Sequence, residues 1–586
     1  MPRSSRTQRA IALALLTLAT PALATPVLAA SGSVGEPTRA VGVNLAPAKD
    51  YQSGWVFVDV MRTARPWLSQ TTQAPGGPWD TGAALSLTAN GWPASLESGQ
   101  AASTLMCREI DGRYPAGRYV CLYEGEGTIE FGFDAKVVSK GPGRMELEVI
   151  PSEGGIFMTI KATNPADPIR NVRVIMPGFE QTYTRQVFHP RFIESLQPFS
   201  TIRFMDWGST NNSSITSWGD RTGPTYYTQQ SRGGVAVELM AELCNQLNAD
   251  GWFCVPHGAD DEYVREMART IAAHLEPGRR AYIEYSNEVW NGGFKQYHYA
   301  VSKATELGFA DQPWTGAWRW TAQRSVEIFD IMDDVLGPDR LVRVLAGQAA
   351  VPDVLQTMIG WNDAGLHADV IAIAPYFSGK AAEPAYYPEV LGWSVDRVLD
   401  EASAHLLKVQ SWVKQHAALA QSHGLRLVGY EGGQHLAPIG GTPAFEDTNF
   451  HALMTQANRS ARMRDLYYGY LWIWHDAGGE QMCLFNHISE PTKFGSWGLL
   501  EYQDQPWSEA PKWHGVVEYM IDYDAFNKGQ DLSLLADLDG DGILTNNDIA
   551  VFVQFFVAQD ARADMNGDGV LDFSDVTGFV EAFVAG

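Results

Sequence analysis

An α/β chain built on a (β/α)8 TIM barrel, with an inserted all-β domain and a small C-terminal α-helical calcium-binding module, is the architecture this sequence predicts. Three observations predict it. From about residue 185 to 520, short apolar runs alternate with segments of helical spacing. From about 80 to 180 the pattern changes to period-two alternation broken by glycine-rich turns. Beyond residue 529 come two acidic loops of twelve residues, each leading into an apolar helix.

The barrel strands follow in order. Val41–Leu45 is the first, a short buried run. Thr201–Asp206 is the second, and after it Val235, Leu239, Leu243 and Leu247 recur every four residues, as on a helix. Gly251–His257 is the third strand, and the helix around Tyr263–Ala268 feeds the fourth, which starts at Tyr282 and ends in Asn287-Glu288. Leu341–Leu345, Val370–Ala374, Leu425–Gly429 and Gly469–Trp474 complete the series. Near-continuous apolar strands alternating with helices indicate a parallel sheet, and eight of them suggest closure. An open doubly wound sheet is the alternative, but no glycine-rich nucleotide fingerprint follows the first strand.

Arg118–Tyr123 and Arg144–Val149 exemplify the alternating region, which is placed between the first and second barrel strands. The resulting division is 1–30 for a signal peptide and 31–79 for the first barrel strand and entry segment. The inserted all-β domain takes 80–184, the rest of the barrel 185–528, and the acidic loop pair 529–586.

Composition narrows the function classes. A formal net charge of −25 argues against nucleic acid or an anionic membrane surface as partner. Arg3, Arg6 and Arg9 precede the apolar run Ala10–Leu16, and small-residue sites follow at Ala22-Leu23-Ala24 and Leu28-Ala29-Ala30. Charged, then apolar, then small is the pattern of a secretory signal, so a secreted or cell-surface location is expected; a retained membrane anchor is the alternative. No other apolar run is long enough to span. Five cysteines are too few for a disulfide framework. Cys107 and Cys121 flank the turn signal Tyr114–Gly117 and are either bridged across a hairpin or free. Cys244 and Cys254 read as core thiols, Cys483 has no evident partner, and no spacing resembles a zinc site.

In a barrel, chemistry gathers at the C-terminal ends of the strands. This sequence places Arg203, His257, Asn287, Glu288, Gln348, Tyr376, Glu431, Trp474 and His475 there. That set is poor core material but suits a sugar site. Glycosidic cleavage needs one protonated carboxyl to donate to the leaving oxygen and one carboxylate to attack the anomeric carbon or activate water. Glu288 and Glu431 are the candidates, each closing an apolar strand. The apolar setting of Tyr285, Val289 and Trp290 would raise Glu288. Singly, Glu288 also reads as a structural carboxylate in an ion pair.

Asn-Glu ending a fourth strand and Glu ending a seventh resembles the retaining glycoside hydrolases of clan A, which include many cellulases, mannanases and xylanases. The resemblance covers roughly 185–520 plus the first strand. It implies Glu288 as acid/base, Glu431 as nucleophile and Asn287 as holder of a substrate 2-hydroxyl. It further implies Arg203 and Tyr376 in contact with the nucleophile, His257 as the third-strand histidine and Trp474 as an aromatic floor on the eighth strand. His257 reads equally as a packing residue, and the roles of His475 and Asp476 stay open. Glu284 should face the same way as Glu288 by strand alternation, either deeper in the barrel or paired with Arg203. Many of the 19 tryptophans follow strand ends, which fits a carbohydrate cleft. A β-linked polysaccharide substrate follows from this reading; the alternative is a non-catalytic carbohydrate-binding protein on a degenerate hydrolase barrel. An insert of this size departs from the family pattern and is expected to cap the site, bind glycan or brace the barrel.

In the tail, Asp537, Asp539, Asp541, Thr545 and Asp548 form one set of oxygen donors, and Asp564, Asn566, Asp568, Asp572 and Asp575 form the second. Both occupy positions 1, 3, 5, 9 and 12 with glycine at 6, the spacing of an EF-hand-type Ca2+ loop. Position 12 is Asp where Glu is usual. The duplicated loop-helix unit resembles a dockerin, which implies a cohesin-type scaffold partner; a calcium-stabilised tail without partner is the alternative. No cofactor is expected for catalysis.

Overall fold

The computed structural model describes residues 41–72, 77–309 and 312–527, then 538, 546–557, 560–563, 565, 571 and 573–585. The expected signal segment lies outside these residues. So do Asp537, Asp539, Asp541, Thr545, Asp564, Asn566, Asp568 and Asp572.

Eight parallel strands close into a barrel: Val41–Asn44, Thr201–Arg203, Asp250–Val255, Ala281–Tyr285, Leu341–Ala346, Val370–Ile373, Arg426–Gly429 and Met482–Leu484. Closure is made by Val41, Gly42 and Val43 pairing with Met482, Cys483 and Leu484. Alternation sorts the side chains. Phe253, Ile283, Leu345, Ile371 and Leu427 point out into one continuous core shared with the surrounding helices. Trp252, Cys254, Tyr282, Val342, Val344, Ala372 and Val428 fill the barrel interior, where Trp252 and Tyr282 stack at 5.2 Å.

Between the first and second strands the chain forms two four-stranded antiparallel sheets. One joins Leu68–Thr71, Gln100–Met106, Ile156–Thr163 and Gly127–Phe133; the other joins Arg170–Ile175, Gly117–Glu124, Arg144–Val149 and Ala135–Gly141. Met106, Ile156 and Met158 of the first sheet and Tyr119, Cys121 and Leu147 of the second enclose one apolar core. No bridge joins Cys107 to Cys121: all five thiols are free and buried. The reason is topological. Cys107 follows a strand of the first sheet and Cys121 lies within a strand of the second, so Tyr114–Gly117 passes between sheets and closes no hairpin.

The eighth barrel strand differs from the sequence expectation. Gly469–Trp474 lies inside the α-helix Arg462–Asp476, and Met482–Leu484 is the strand. Leu466, Tyr467, Tyr470, Leu471 and Trp474 are all buried on that helix, a three-to-four residue repeat, although their bulk and aromaticity suit a strand equally well. Trp474 is 1% exposed and its indole N–H donates to the Glu480 carbonyl at 2.8 Å. It is a packing residue and forms no floor of the barrel mouth. His475 is on the same helix beside Asp476 and against Trp472 and Tyr523, away from the strand ends.

At the C-terminal end, helices Asn546–Val557 and Phe573–Ala585 pair through Phe552 and Phe579, whose rings stack at 4.2 Å. Among the described residues no helix is long and apolar enough to cross a membrane.

Trp474→Ala is expected to lower the unfolding free energy by about 3–5 kcal/mol, read from urea denaturation. Trp474→Phe should leave ligand affinity and turnover unchanged. A selective loss of affinity in the Phe variant would return Trp474 to the site.

Candidate active site

Arg203 organises the barrel mouth. It ends the second strand, is 0% exposed, and every N–H of its guanidinium finds an acceptor. Nη1 donates to Asn44 Oδ1 at 3.0 Å and to Glu431 Oε1 at 2.9 Å. Nη2 donates to Glu284 Oε2 and Asn287 Oδ1, both at 2.8 Å, and Nε donates to Glu284 Oε2 at 3.2 Å. Its planar face lies 5.1 Å from the Tyr430 ring and 5.5 Å from Trp252. Asn44 is fixed in turn by donating to the Tyr430 carbonyl at 2.9 Å. Glu284 does face the interior and pair with Arg203, and it also accepts from the Trp252 indole at 2.9 Å.

Glu431, just beyond the seventh strand, has charged and phenolic partners. Arg203 holds Oε1 and the Tyr376 hydroxyl donates to Oε2 at 2.9 Å. Glu288 has neutral ones. Asn291 Nδ2 donates to Oε2 at 2.9 Å and the Tyr430 hydroxyl to Oε1 at 3.3 Å. Just beyond the fourth strand, Ser286 and Glu288 both adopt left-handed backbone, φ 59° and 44°. Neither is glycine, so the turn that aims Glu288 is strained and held by its surroundings. Asn287 between them is locked by Arg203 on its oxygen and by Asn211, to which its amide donates at 3.1 Å; Gln296 anchors both.

Burial pushes the Glu288 carboxyl up to about 7, aided by the negative charge of Glu431. Burial raises Glu431 too, but Arg203 and Tyr376 oppose it. With a guanidinium on one member and only neutral donors on the other, the first proton leaves Glu431 and the second stays on Glu288.

The structure brings Arg203, Asn287, Glu288, Tyr376 and Glu431 together and leaves out Trp474 and His475. His257 follows the third strand, edge-on to Tyr299 at 5.2 Å, with burial lowering its basicity. Its carbonyl accepts from Tyr285, so it serves at least to pack that corner.

Sequence reasoning missed several members. Tyr430, adjacent to Glu431, spans to Glu288; Asn291 lies three residues past Glu288; Asn44 ends the first strand. All three stand inside or beside the motifs already singled out, and that adjacency was the available signal. Trp497 stands out in the sequence only as one of many loop aromatics. It packs edge-on to Tyr376, His435 and Phe485, next to the phenol that reaches Glu431. Half-buried Asp206, after the second strand, is pushed up to about 7 by burial and by the charge of Glu431, with Lys49 opposing.

Two tail carboxylates are described. Asp548 and Asp575 are both 0% exposed, and each folds back to accept a backbone N–H near the start of its own loop, from Leu538 at 2.9 Å and Met565 at 2.8 Å.

No protein-family model and no curated protein matches the chain. Solved structures similar to it include a 4-O-α-L-rhamnosyl-β-D-glucuronidase from Fusarium oxysporum 12S (13% identity, 56% of this chain and 64% of that one, TM-score 0.33). A β-glucuronidase from Bacteroides uniformis is similar over 79% of this chain and 50% of that one (10% identity, TM-score 0.32). A broad-specificity endoglucanase from Clostridium longisporum is similar over 56% and 85% (10% identity, TM-score 0.33). The chain thus spans less than two thirds of the length of the two glucuronidases.

Replacing Arg203 with Leu strands Glu284 and Glu431 as buried, unpaired charges. The expected cost is about 3–5 kcal/mol in urea unfolding. Arg203→Lys should recover little of it, because an ammonium cannot reproduce the planar fork. A fully stable Leu variant would remove Arg203 from its central place.

Glu288 carries a second expectation. Its folded pKa is raised, so its contribution to stability is present at low pH and lost as pH rises through about 7. Glu288→Gln, which cannot ionise, should therefore melt higher than the parent at about pH 8.5 and close to it at about pH 5. The opposite order would show that ionised Glu288 is favoured by the fold.

Proposed function

We propose that the chain is an exported glycoside hydrolase that cleaves β-linked polysaccharide with Glu288 as acid/base and Glu431 as nucleophile. One observation carries this reading: the carboxylates of buried Glu431 and half-buried Glu288 share a mouth, tied through Tyr430, with environments that hold one proton on Glu288 and the charge on Glu431. Glu288 protonates the glycosidic oxygen as the C–O bond breaks, and Glu431 attacks the anomeric carbon to form a glycosyl ester. Glu288, now a carboxylate, takes a proton from water; the water oxygen adds to the anomeric carbon, releasing Glu431. Arg203 steadies the nucleophile's charge and Asn287 offers its remaining amide hydrogen to a sugar hydroxyl. Trp497, set edge-on to Tyr376, His435 and Phe485, offers the face of its indole to a pyranose ring.

Reducing-sugar release from β-1,4-glucan, mannan, xylan and galactan powders tests the reading. The parent should act on at least one, Glu431→Gln should retain below about 10⁻³ of that turnover, and Glu288→Gln should lose roughly 10²–10⁴-fold. For the parent, kcat/KM should fall as pH rises through about 7, where Glu288 gives up the proton it must donate. The first product anomer seen by NMR should keep the substrate's configuration. Turnover undiminished in Glu431→Gln would overturn the assignment, and binding without release on every powder would favour a carbohydrate-binding protein on the same barrel.

The tail is read as a calcium-binding, dockerin-like module that docks on a cohesin-type scaffold. The supporting observation is that the last acidic residue of each twelve-residue loop, Asp548 and Asp575, is buried and turned back to accept a backbone N–H near the start of its own loop. Bound Ca2+ would neutralise the loop carboxylates and hold the Phe552–Phe579 helix pair. In the full chain, chelation with EGTA should speed proteolysis beyond residue 527, and Asp548→Ala with Asp575→Ala should mimic it. Identical digestion with and without Ca2+ would count against the metal.

A further inference from the structure

The two-sheet region between the first and second barrel strands, which takes in Leu68–Thr71 and Trp79, carries an exposed aromatic cluster for which the carboxylate chemistry has no use. Trp79 is 47% exposed and Phe133 54%. Their ring planes lie within 7° of each other with centroids 6.1 Å apart; Phe157 sits 5.4 Å from Trp79 and 5.0 Å from Phe133. The placement has local causes. Phe157 is on the face of its strand opposite to core residues Ile156 and Met158, and its partner across the ladder is Gly132, which has no side chain to obstruct it. Gln70 pins the Trp79 backbone by donating to its carbonyl at 2.9 Å. Phe133 ends its strand at φ 55°, a costly conformation for a bulky residue. Rings kept in water at a backbone cost do not serve the insert's own core.

The cluster is also linked to the segment that follows the first barrel strand. The Arg108 guanidinium lies 5.9 Å from the Phe133 centroid, and the Arg108 backbone N–H donates to the Asp50 carbonyl at 2.9 Å. On either side of Asp50 stand Lys49, whose charge acts on Asp206 beside Glu431, and Tyr51, 45% exposed with the Lys49 ammonium 5.3 Å from its ring. The cluster is thus tied through Arg108 to the segment that leaves the first barrel strand.

We propose that Trp79, Phe133 and Phe157 form a non-catalytic subsite that holds a β-linked polysaccharide chain by stacking against its sugar rings outside the cleft. Arg108 and Glu109, paired at 2.9 Å at its edge, offer hydrogen bonds to hydroxyls. Trp79 and Phe133 lie near-parallel with Phe157 tilted against both, and their exposed ring surfaces suit the apolar faces of pyranoses. A net charge of −25 disfavours acidic partners, and three rings are too small a patch to hold a second copy of the chain. The choice of a glycan rests on the hydrolase reading of the cleft.

The test uses the full chain carrying Glu431→Gln, so that retention is read without cleavage, on insoluble β-1,4-glucan, mannan, xylan and galactan powders. Trp79→Ala and Phe133→Ala, each added to that variant, should lower retention about tenfold on the powder that the parent chain hydrolyses. Trp79→Tyr, which keeps a planar ring, should retain most of it. With Glu431 intact, Trp79→Ala should cleave a short soluble oligosaccharide at the unchanged rate. Unaltered retention, equal loss in the Ala and Tyr variants, or loss of a dimer in sedimentation would each overturn the subsite. Retention that depends on Trp79 in a chain releasing no sugar would sink the hydrolase reading alone; cleavage with retention indifferent to Trp79 would sink the subsite alone.

Discussion

Everything at the barrel mouth depends on one buried cation. Arg203 reaches from the second strand to the first through Asn44, to the fourth through Glu284 and Asn287, and to the seventh through Glu431. A guanidinium out of water is tolerable only when each donor is satisfied, and here all five are. The same demand that makes the residue expensive makes it an organiser. It draws carboxylates from separate strands to one point, and their mutual repulsion is tolerable only because it stands between them.

That arrangement also separates the two glutamates chemically. Glu431 lies against the cation and a phenol; Glu288 lies against an amide and a phenol, on a backbone turn strained at Ser286 and Glu288. Burial alone would raise both acids alike. The asymmetry comes from which one shares Arg203, and Tyr430 spans from the strand that leads into Glu431 to the Glu288 carboxyl, so the two are positioned as a unit.

Much of this was legible in the residue order. Seven of the eight strands announce themselves as apolar runs, and Asn287-Glu288 and Glu431 close two of them. The eighth did not. Gly469–Trp474 has strand-like content, whereas the helix that contains it is visible only when Leu466, Tyr467, Leu471 and Trp474 are counted together. Met482–Leu484 is too short to stand out, and its place is set by pairing with Val41–Val43 at the far end of the chain. Trp497 was lost among other loop tryptophans because packing on Tyr376 and Phe485 is a long-range matter. Cys107 and Cys121 misled because a turn between them looks the same whether it joins strands of one sheet or of two.

By itself, then, the sequence determined the alternation of strand and helix, the all-β interruption, the acidic loop pair and the placing of Glu288 and Glu431 just past strand ends, since these are local patterns of polarity and turn chemistry. Tertiary structure alone decided which polar groups meet. Arg203 finds Asn44 and Glu431 only when the barrel closes, the ring cluster around Trp497 forms from residues distant in the chain, and Trp79 stands beside Phe133 only once two strands and a loop have packed. The physical reason is that local propensity is encoded residue by residue, whereas hydrogen-bond satisfaction and ring contact are properties of the closed fold.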